Sequence, residues 1–198
     1  MANVGNINSP QGLRPVGTLG SAGYCGRIEI YSTSTSDANA IGVGDPVVAN
    51  GTANTDGVPT AIRYTSSAGT SATPITGVMV GVVPNPLNLA QTYRPGSTAQ
   101  SILVDVDPNT IYEVADGSTT TNVAVTDIGQ NANITMGAVN TTTGNSAATL
   151  NNSTFATTFQ LELKLVRLSP KVGNRIGDYA KYEVLVNNHQ FKSGVAGL

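Results

Sequence analysis

His189 is the only histidine in the 198 residues of the sequence, so any catalytic triad would have to use it. A triad needs a histidine as the general base beside a Ser or Cys nucleophile. His189 lies in the polar stretch Asn187–Gln190, and the sequence contains no Gly-x-Ser-x-Gly motif. We therefore interpret His189 as a structural or surface residue, predict no catalytic residue, and expect that the protein is not an enzyme.

The sequence also lacks a complete motif for a metal or cofactor site. Cys25 is the single cysteine, and one His and one Cys need carboxylates to complete a zinc site. The stretch Asp105–Asn109 resembles the start of a calcium loop, but Thr110 and Asp116 stand where that loop needs Gly and Glu. The segment Gly17–Gly23 is rich in glycine yet lacks the Gly-Lys-Ser/Thr ending of a phosphate-binding loop. We predict neither a metal nor a cofactor.

The charge content argues against polyanionic partners. Charged residues make up 11% of the sequence and the formal net charge is −2, whereas soluble domains usually carry about 25% charged residues. Ten scattered basic residues do not form the patch that nucleic acid or a charged membrane surface requires. We also find no apolar run of transmembrane length and no signal peptide, and we expect assembly in a reducing cytoplasm.

The elements that would position these residues are predicted to be strands. Apolar residues alternate with polar ones, and Gly, Pro, Thr and Asn interrupt every window that might form a helix. Many short strands separated by turns indicate an all-β barrel or sandwich, similar to a jelly roll. The predicted strands are 27–31, 45–49, 58–64, 77–83, 101–106, 111–114, 160–168 and 181–187.

Several local features sharpen this expectation. The pair Asn50–Gly51 is typical of a hairpin turn, and Asp107–Thr110 predicts a second hairpin between the strands on either side of it. The continuous apolar run 77–83 predicts a strand buried on both faces. In 160–168, Leu161, Leu163 and Leu165 should share one face, with Gln160, Glu162 and Lys164 on the other; in 181–187, Tyr182, Val184 and Val186 should share one face.

We divide the chain into an extended N-terminal arm, residues 1–20, and a single β domain, residues 21–198. Residues 1–16 have too few apolar side chains to fold alone, so we expect them to need a neighbouring surface. Within the domain, residues 117–158 are rich in Thr and Asn and predict a loop-rich or protruding portion, with a helical turn near 127–132. The residues expected to contact a partner surface or another subunit are Leu13, Arg14, Pro15 and Val16.

The order of motifs along the chain resembles that of small virion structural proteins of tailed bacteriophages, the capsid decoration or cement proteins. The motifs that carry this resemblance are Pro10–Val16, Gly44–Val48, Ile75–Gly81, Val104–Val114, Asp127–Asn131, Asn174–Ala180 and Val186–Gln190. The resemblance implies a β-rich fold that binds the outside of the shell. It also implies that the partners are the major capsid protein and further copies of this chain, as a dimer or trimer. It implies no catalytic residue.

Two other functions stay open at this point. A phage fibre or adhesin module would bind a host surface glycan, but glycan sites favour exposed aromatic residues, and this chain has no Trp and only 5% aromatic residues. A depolymerase would need two carboxylates facing each other across a cleft, and nothing in the sequence marks such a pair. The leading expectation is therefore a decoration protein on the outer capsid surface.

Overall fold

The computed structural model describes residues 6–21, 23–65, 73–117 and 122–192. Within these residues the chain is all-β, and the only helix is one short 3-10 turn at Val125–Asp127. The strands are β1 Arg14–Thr18, β2 Ile28–Ser32, β3 Pro46–Ala53, β4 Pro59–Arg63, β5 Gly77–Val82, β6 Ser101–Asp105, β7 Thr110–Ala115, β8 Asn131–Thr135, β9 Thr149–Ala156, β10 Leu163–Leu168 and β11 Lys181–Val186.

These strands form two sheets. Five of them close a small barrel in the order β2-β4-β3-β5-β6, and the other six form a sheet in the order β1-β7-β11-β10-β8-β9. The barrel closes through one parallel pair, Ser32 with Thr60, while its other neighbours are antiparallel. The predicted all-β class with a barrel is therefore confirmed.

The sheet packs against the barrel over a shared apolar core. Barrel-side residues Val48, Tyr64, Ile75 and Val78 join the buried residues of the sheet in one cluster. A second, smaller cluster fills the barrel itself. Alternation places these residues, since every second side chain of a strand points to the same face. Tyr182, Val184 and Val186 are all buried on the core side of β11, as predicted.

The predicted hairpin across Asp107–Thr110 is wrong. The turn itself forms, since the Thr110 N–H donates to the Asp107 carbonyl oxygen over 3.1 Å. However, β6 pairs with β2 on one edge and with β5 on the other, so it has no edge left for β7. The chain therefore crosses at this turn from the barrel to the six-stranded sheet, where β7 lies between β1 and β11.

The hairpin turn predicted at Asn50–Gly51 lies four residues further along the chain. Asn50 and Gly51 are inside β3, where the register with β4 shifts between Ala49 and Ala53. The turn that joins β3 to β4 is at Asn54–Gly57, and the Asn54 side-chain oxygen accepts hydrogen bonds from backbone N–H groups of that turn. Gly57 adopts a φ of 78° there, a conformation that favours glycine.

The N-terminal segment is part of the fold from Leu13 onward, which corrects the expected arm. Arg14–Thr18 is the edge strand of the six-stranded sheet and pairs with β7. Leu13 is fully buried in the main core. Of the expected arm, residues 6–12 lie outside any strand, and residues 1–5 lie outside the described residues.

The segment 117–158 also contributes more to the fold than its polar composition suggests. It supplies β8 and β9, whose Ile134 and Leu150 are buried in the main core together with Val123 and Ala148. Its short helix, Val125–Asp127, begins two residues before the helical turn expected near 127–132. Residues 118–121 lie outside the described residues.

Two predictions about faces hold only in part. Leu163 and Leu165 of β10 are buried, as expected, but Glu162 is buried too instead of facing solvent. In β5 the first three residues are buried, and Val80, Gly81 and Val82 are partly exposed. Of this partly exposed half, Val80 lines the groove described below, together with the buried Met79.

Candidate functional site

The residues predicted to contact a partner lie at the free edge of the six-stranded sheet. Among the strands that the structure describes, β1 pairs with β7 only, so its second edge has no neighbour within this set. Leu13 contacts the core of its own chain, and its N–H donates to the Gly44 carbonyl oxygen over 2.9 Å. This leaves Arg14, Pro15 and Val16 as the residues of the set that a partner can reach, since they are exposed or partly exposed.

A groove runs beside this edge, between β1 and the barrel. It has a volume of about 340 Å³ and is lined largely by apolar side chains and backbone. The lining residues are Gln11, Leu13, Arg14, Pro15, Val43, Gly44, Met79, Val80 and Asn145. A cleft of this size and composition suits an apolar peptide segment or side chain. Arg14 is the one charged residue at its rim.

A row of charged side chains crosses the face of the sheet that points away from the barrel. Arg14, Glu113, Glu183 and Arg167 stand opposite one another on β1, β7, β11 and β10. Arg167 Nε lies 2.6 Å from the Glu183 carboxylate. This row was not predicted from the sequence, although the alternation of Glu113 with Tyr112 and Val114 indicates that Glu113 faces away from the core.

Glu113 is held as a carboxylate in this row. It accepts hydrogen bonds from Lys171 Nζ over 2.6 Å and from Ser169 Oγ over 2.7 Å. Burial alone would raise the pKa of Glu113, but these two hydrogen bonds and the charges of Lys171 and Lys181 outweigh it, so the pKa is lowered. The charges of Glu113 and Glu183 are therefore largely balanced by Lys171 and Arg167, which agrees with a structural role.

Asp45 connects three parts of the chain below the groove. Its fully buried carboxylate accepts hydrogen bonds from Gly42 N–H over 2.8 Å and from Ser146 Oγ over 2.6 Å. Arg63 contacts both carboxylate oxygens over 3.0 Å in the bidentate geometry that makes such pairs strong. Arg63 also donates to the Gly137 carbonyl oxygen. This network fixes the long loop between β8 and β9 to the barrel.

Arg94 holds together the loops at one end of the barrel. Its side chain is fully buried, and its guanidinium N–H groups donate to Thr33 Oγ1, to the Asp37 carboxylate and to the carbonyl oxygens of Asn39 and Thr98. A buried guanidinium without such partners would be strongly destabilising. The hydrogen bonds of Arg94 therefore fix the positions of the loops that carry these acceptors.

Asp105 sits where the chain crosses from one sheet to the other. It is fully buried, and its carboxylate accepts a hydrogen bond over 3.1 Å from each of the hydroxyls of Tyr24 and Tyr112. The Asp107 N–H donates to its other oxygen over 3.1 Å. Burial first, and then the charge of Asp105, raise the pKa of Tyr112. The stretch that resembles a calcium loop therefore joins strands by turn hydrogen bonds.

Glu162 is a buried carboxyl group between the sheet and the barrel. It accepts hydrogen bonds from the hydroxyl of Tyr64 and, over 3.2 Å, from the Ile134 N–H. Burial raises the pKa of Glu162, and these hydrogen bonds offset part of the rise. Sequence alternation could not have found this residue, because its partners are distant in the chain.

His189 is buried, which fits its predicted structural role. Its Nδ1 accepts a hydrogen bond from the Phe191 N–H over 3.1 Å, and its neighbour across an isolated bridge is Ile75. Burial lowers the pKa of His189 to about 4, with a further contribution from the charge of Lys192. The imidazole is therefore neutral at physiological pH. Cys25, in contrast, is exposed.

No group of three or more His, Cys, Asp or Glu side chains that could hold a metal ion occurs in the part of the chain that the structure describes. Over the same residues, no helix is long and apolar enough to cross a membrane. Comparison with family models, with curated proteins and with solved structures finds no match.

Five of the seven motifs quoted for the phage resemblance meet at the junction of barrel and sheet. The Leu13 N–H donates to the Gly44 carbonyl oxygen, and the Gly44 N–H donates to the Met79 carbonyl oxygen over 2.8 Å. Ile75 pairs with His189 in an isolated bridge. A Cβ atom on Gly77 would lie 2.2 Å from the Asp105 carbonyl oxygen, so only glycine fits there. These motifs therefore specify how the two sheets are joined.

Proposed function

We propose that this protein is a structural component of a tailed-phage particle that binds the outside of the capsid. It stabilises the shell there by bridging neighbouring subunits of the major capsid protein. The observation that carries the proposal is the ordered series of motifs, five of which lie at the junction of barrel and sheet. An all-β domain with this many buried polar links between its loops suits a rigid clamp on an assembled surface.

The contact with the shell is proposed to use the edge of β1 and the groove beside it. Arg14, Pro15 and Val16 are accessible there, and the groove of about 340 Å³ offers a largely apolar lining. A free strand edge can add backbone hydrogen bonds to a partner strand. Pro15 has no N–H, so it restricts which register such pairing can take and reduces pairing with the wrong partner. A second copy of the chain is the other proposed partner, in a dimer or trimer on the shell.

The direct test is to locate the protein in purified particles of the phage that encodes it, by electron cryo-microscopy. Additional density of β-rich shape on the outer capsid surface is the expected result. Absence of the protein from the particles would reject the virion function.

A pair of matched variants tests the proposed contact. Val16→Glu places a charge at the β1 edge, and we expect its occupancy on particles that lack the wild-type protein to fall about tenfold or more. Val172→Glu is the control, because Val172 is fully exposed on the turn between β10 and β11. Equal occupancy of the two variants would show that the β1 edge is not the contact.

A further inference from the structure

Asn50–Gly51 is the only Asn-Gly pair in the sequence, and the structure places it in an accessible, bulged part of a strand. Both residues are exposed. The register of β3 with β4 is regular up to Ala49 and resumes at Ala53, so Asn50, Gly51 and Thr52 form a bulge opposite the single residue Thr60. Gly51 has a φ of 75°, and without a side chain it leaves its own backbone nitrogen open to the preceding residue.

The side-chain carbonyl oxygen of Asn50 is held by donors from two strands. The Thr52 N–H lies 3.2 Å from Oδ1 and the Thr52 hydroxyl lies 2.7 Å from it. The hydroxyl of Thr60, on β4, is a further donor to the same oxygen. Thr60 is itself buried. Hydrogen bonds aimed at a carbonyl oxygen strengthen when that oxygen becomes negatively charged during nucleophilic attack.

We propose that Asn50 is a site of spontaneous deamidation, promoted by the hydroxyls of Thr52 and Thr60. The Gly51 nitrogen loses its proton to water and forms a bond to Asn50 Cγ. Oδ1 carries the negative charge of the tetrahedral intermediate, and water returns a proton to Nδ2. The bond from Cγ to Nδ2 then breaks, releasing ammonia and leaving a succinimide ring. Water opens the ring at either carbonyl group and gives aspartate or isoaspartate at position 50. Overall, one water is consumed and one ammonia is released.

The fold can accept both products. Isoaspartate inserts one extra methylene into the backbone, which in a paired strand would break the register. At Asn50 the strand is already out of register with β4, so the extra atom falls in a bulge and not in the regular part of the ladder. The reaction adds a negative charge to an exposed position of the barrel, and it marks the age of a molecule without unfolding it.

The experiment is to incubate the purified full-length protein in mildly alkaline buffer and to follow residue 50 by peptide mass spectrometry with an isoaspartate assay. We expect aspartate and isoaspartate to accumulate at Asn50 at least as fast in the folded protein as in the urea-unfolded chain. Asn54 is the internal reference, because its side-chain oxygen also accepts backbone hydrogen bonds but Thr55 follows it in place of glycine.

Variants separate promotion by the hydroxyls from simple reactivity of the pair. Thr60→Val and Thr52→Val should each slow the reaction in the folded protein by about fivefold, a typical effect for one neutral hydrogen bond. Thr60→Ser should keep the wild-type rate. Thr52 is exposed, so its variant folds even where substitution of Thr60 does not. The proposal is overturned by a folded rate well below the unfolded one, by valine variants that react as fast or faster, or by no product at Asn50.

Discussion

Buried polar side chains carry much of the specificity of this fold at the level of single residues. Asp45, Arg94, Asp105 and Glu162 are all fully buried, in a chain with only 11% charged residues. Each is hydrogen-bonded to a segment distant in sequence, Asp105 through the hydroxyl of Tyr24. Since an unpaired buried charge costs several kcal/mol, these residues penalise alternative loop arrangements more than they stabilise the native one.

Asp45 offers the sharpest test of this idea. Asp45→Ala leaves the guanidinium of Arg63 and the hydroxyl of Ser146 without their acceptor, so we expect a loss of about 3 kcal/mol in the free energy of unfolding. Urea titration followed by circular dichroism measures it. The control is Glu29→Ala, which removes the partner of Arg27 in a largely exposed ion pair and should change stability by less than about 1 kcal/mol. Equal effects of the two substitutions would show that the Asp45 network does not hold the loop between β8 and β9 to the barrel.

His189 predicts how stability depends on pH. Its pKa is about 4 in the folded protein against 6.5 for an unperturbed histidine, so between these values the unfolded chain binds more protons. Its contribution to stability is therefore present above about pH 6.5 and is lost as the pH falls toward 4. We expect the protonation of His189 to lower the free energy of unfolding by about 2 kcal/mol between pH 7 and pH 5.

The measurement compares urea unfolding of the wild type and of His189→Asn at both pH values. The Asn side-chain oxygen can accept the hydrogen bond from the Phe191 N–H, but the amide does not titrate. The variant should lose about 2 kcal/mol less than the wild type on acidification, because the carboxylates titrate in both proteins. An identical loss in the two proteins would place the acid sensitivity elsewhere.

At the level of elements, β1 decides what the N-terminal segment does. Leu13 fixes the entry to this strand in the main core, whereas Asn6 is held to the turn between β10 and β11 by two hydrogen bonds to the backbone of Arg175. The first contact is apolar and buried, and the second is exposed. The two parts of the segment therefore differ greatly in what they contribute to stability.

Two deletions measure separately how much each part of the N-terminal segment contributes to stability. Removing residues 2–8 should change the free energy of unfolding by less than about 1 kcal/mol, since Ile7 is largely exposed. Removing residues 2–16 also takes away Leu13 and half of β1, and should cost at least the 2–5 kcal/mol typical of losing a buried leucine side chain. An arm without a core of its own, as expected from the sequence for residues 1–16, could be removed with the fold left intact. Wild-type stability of the longer deletion would show that β1 is dispensable and restore the predicted arm.

At the level of the whole molecule, the low charge sets how the protein should attach to a particle. Ion pairs across an exposed interface contribute about 0–1 kcal/mol each, and few charged side chains are available. Apolar burial and backbone pairing along β1 should dominate the proposed contact. These are not screened by salt, whereas urea weakens both.

Washing particles tests this directly. Attachment of the proposed decoration protein should survive molar sodium chloride nearly unchanged and be lost in graded urea, followed as the 20.2 kDa band in pelleted particles. A urea concentration that releases the protein while leaving the isolated domain folded shows that the contact, and not the fold, has been weakened. Release by salt alone would show that charges carry the attachment.

The fold class and most of the strands could be predicted from local sequence patterns. Period-two alternation and turn residues report local backbone preferences, and they located nearly every strand outside 117–158 to within a few residues. The buried face of β11 followed from the same rule. The edge strand β1 was not predicted, because the scattered apolar residues and glycines of its sequence give no alternation.

Which strands are neighbours, and which polar groups are buried, depends on contacts between residues far apart in the chain. The turn at Asp107–Thr110 looks the same in sequence whether it closes a hairpin or crosses between sheets, and the outcome depends on β2 and β5 occupying both edges of β6. Glu162 is buried because Tyr64, 98 residues away, supplies a hydrogen-bond donor. Such pairings are set by long-range packing free energy, which no local pattern contains.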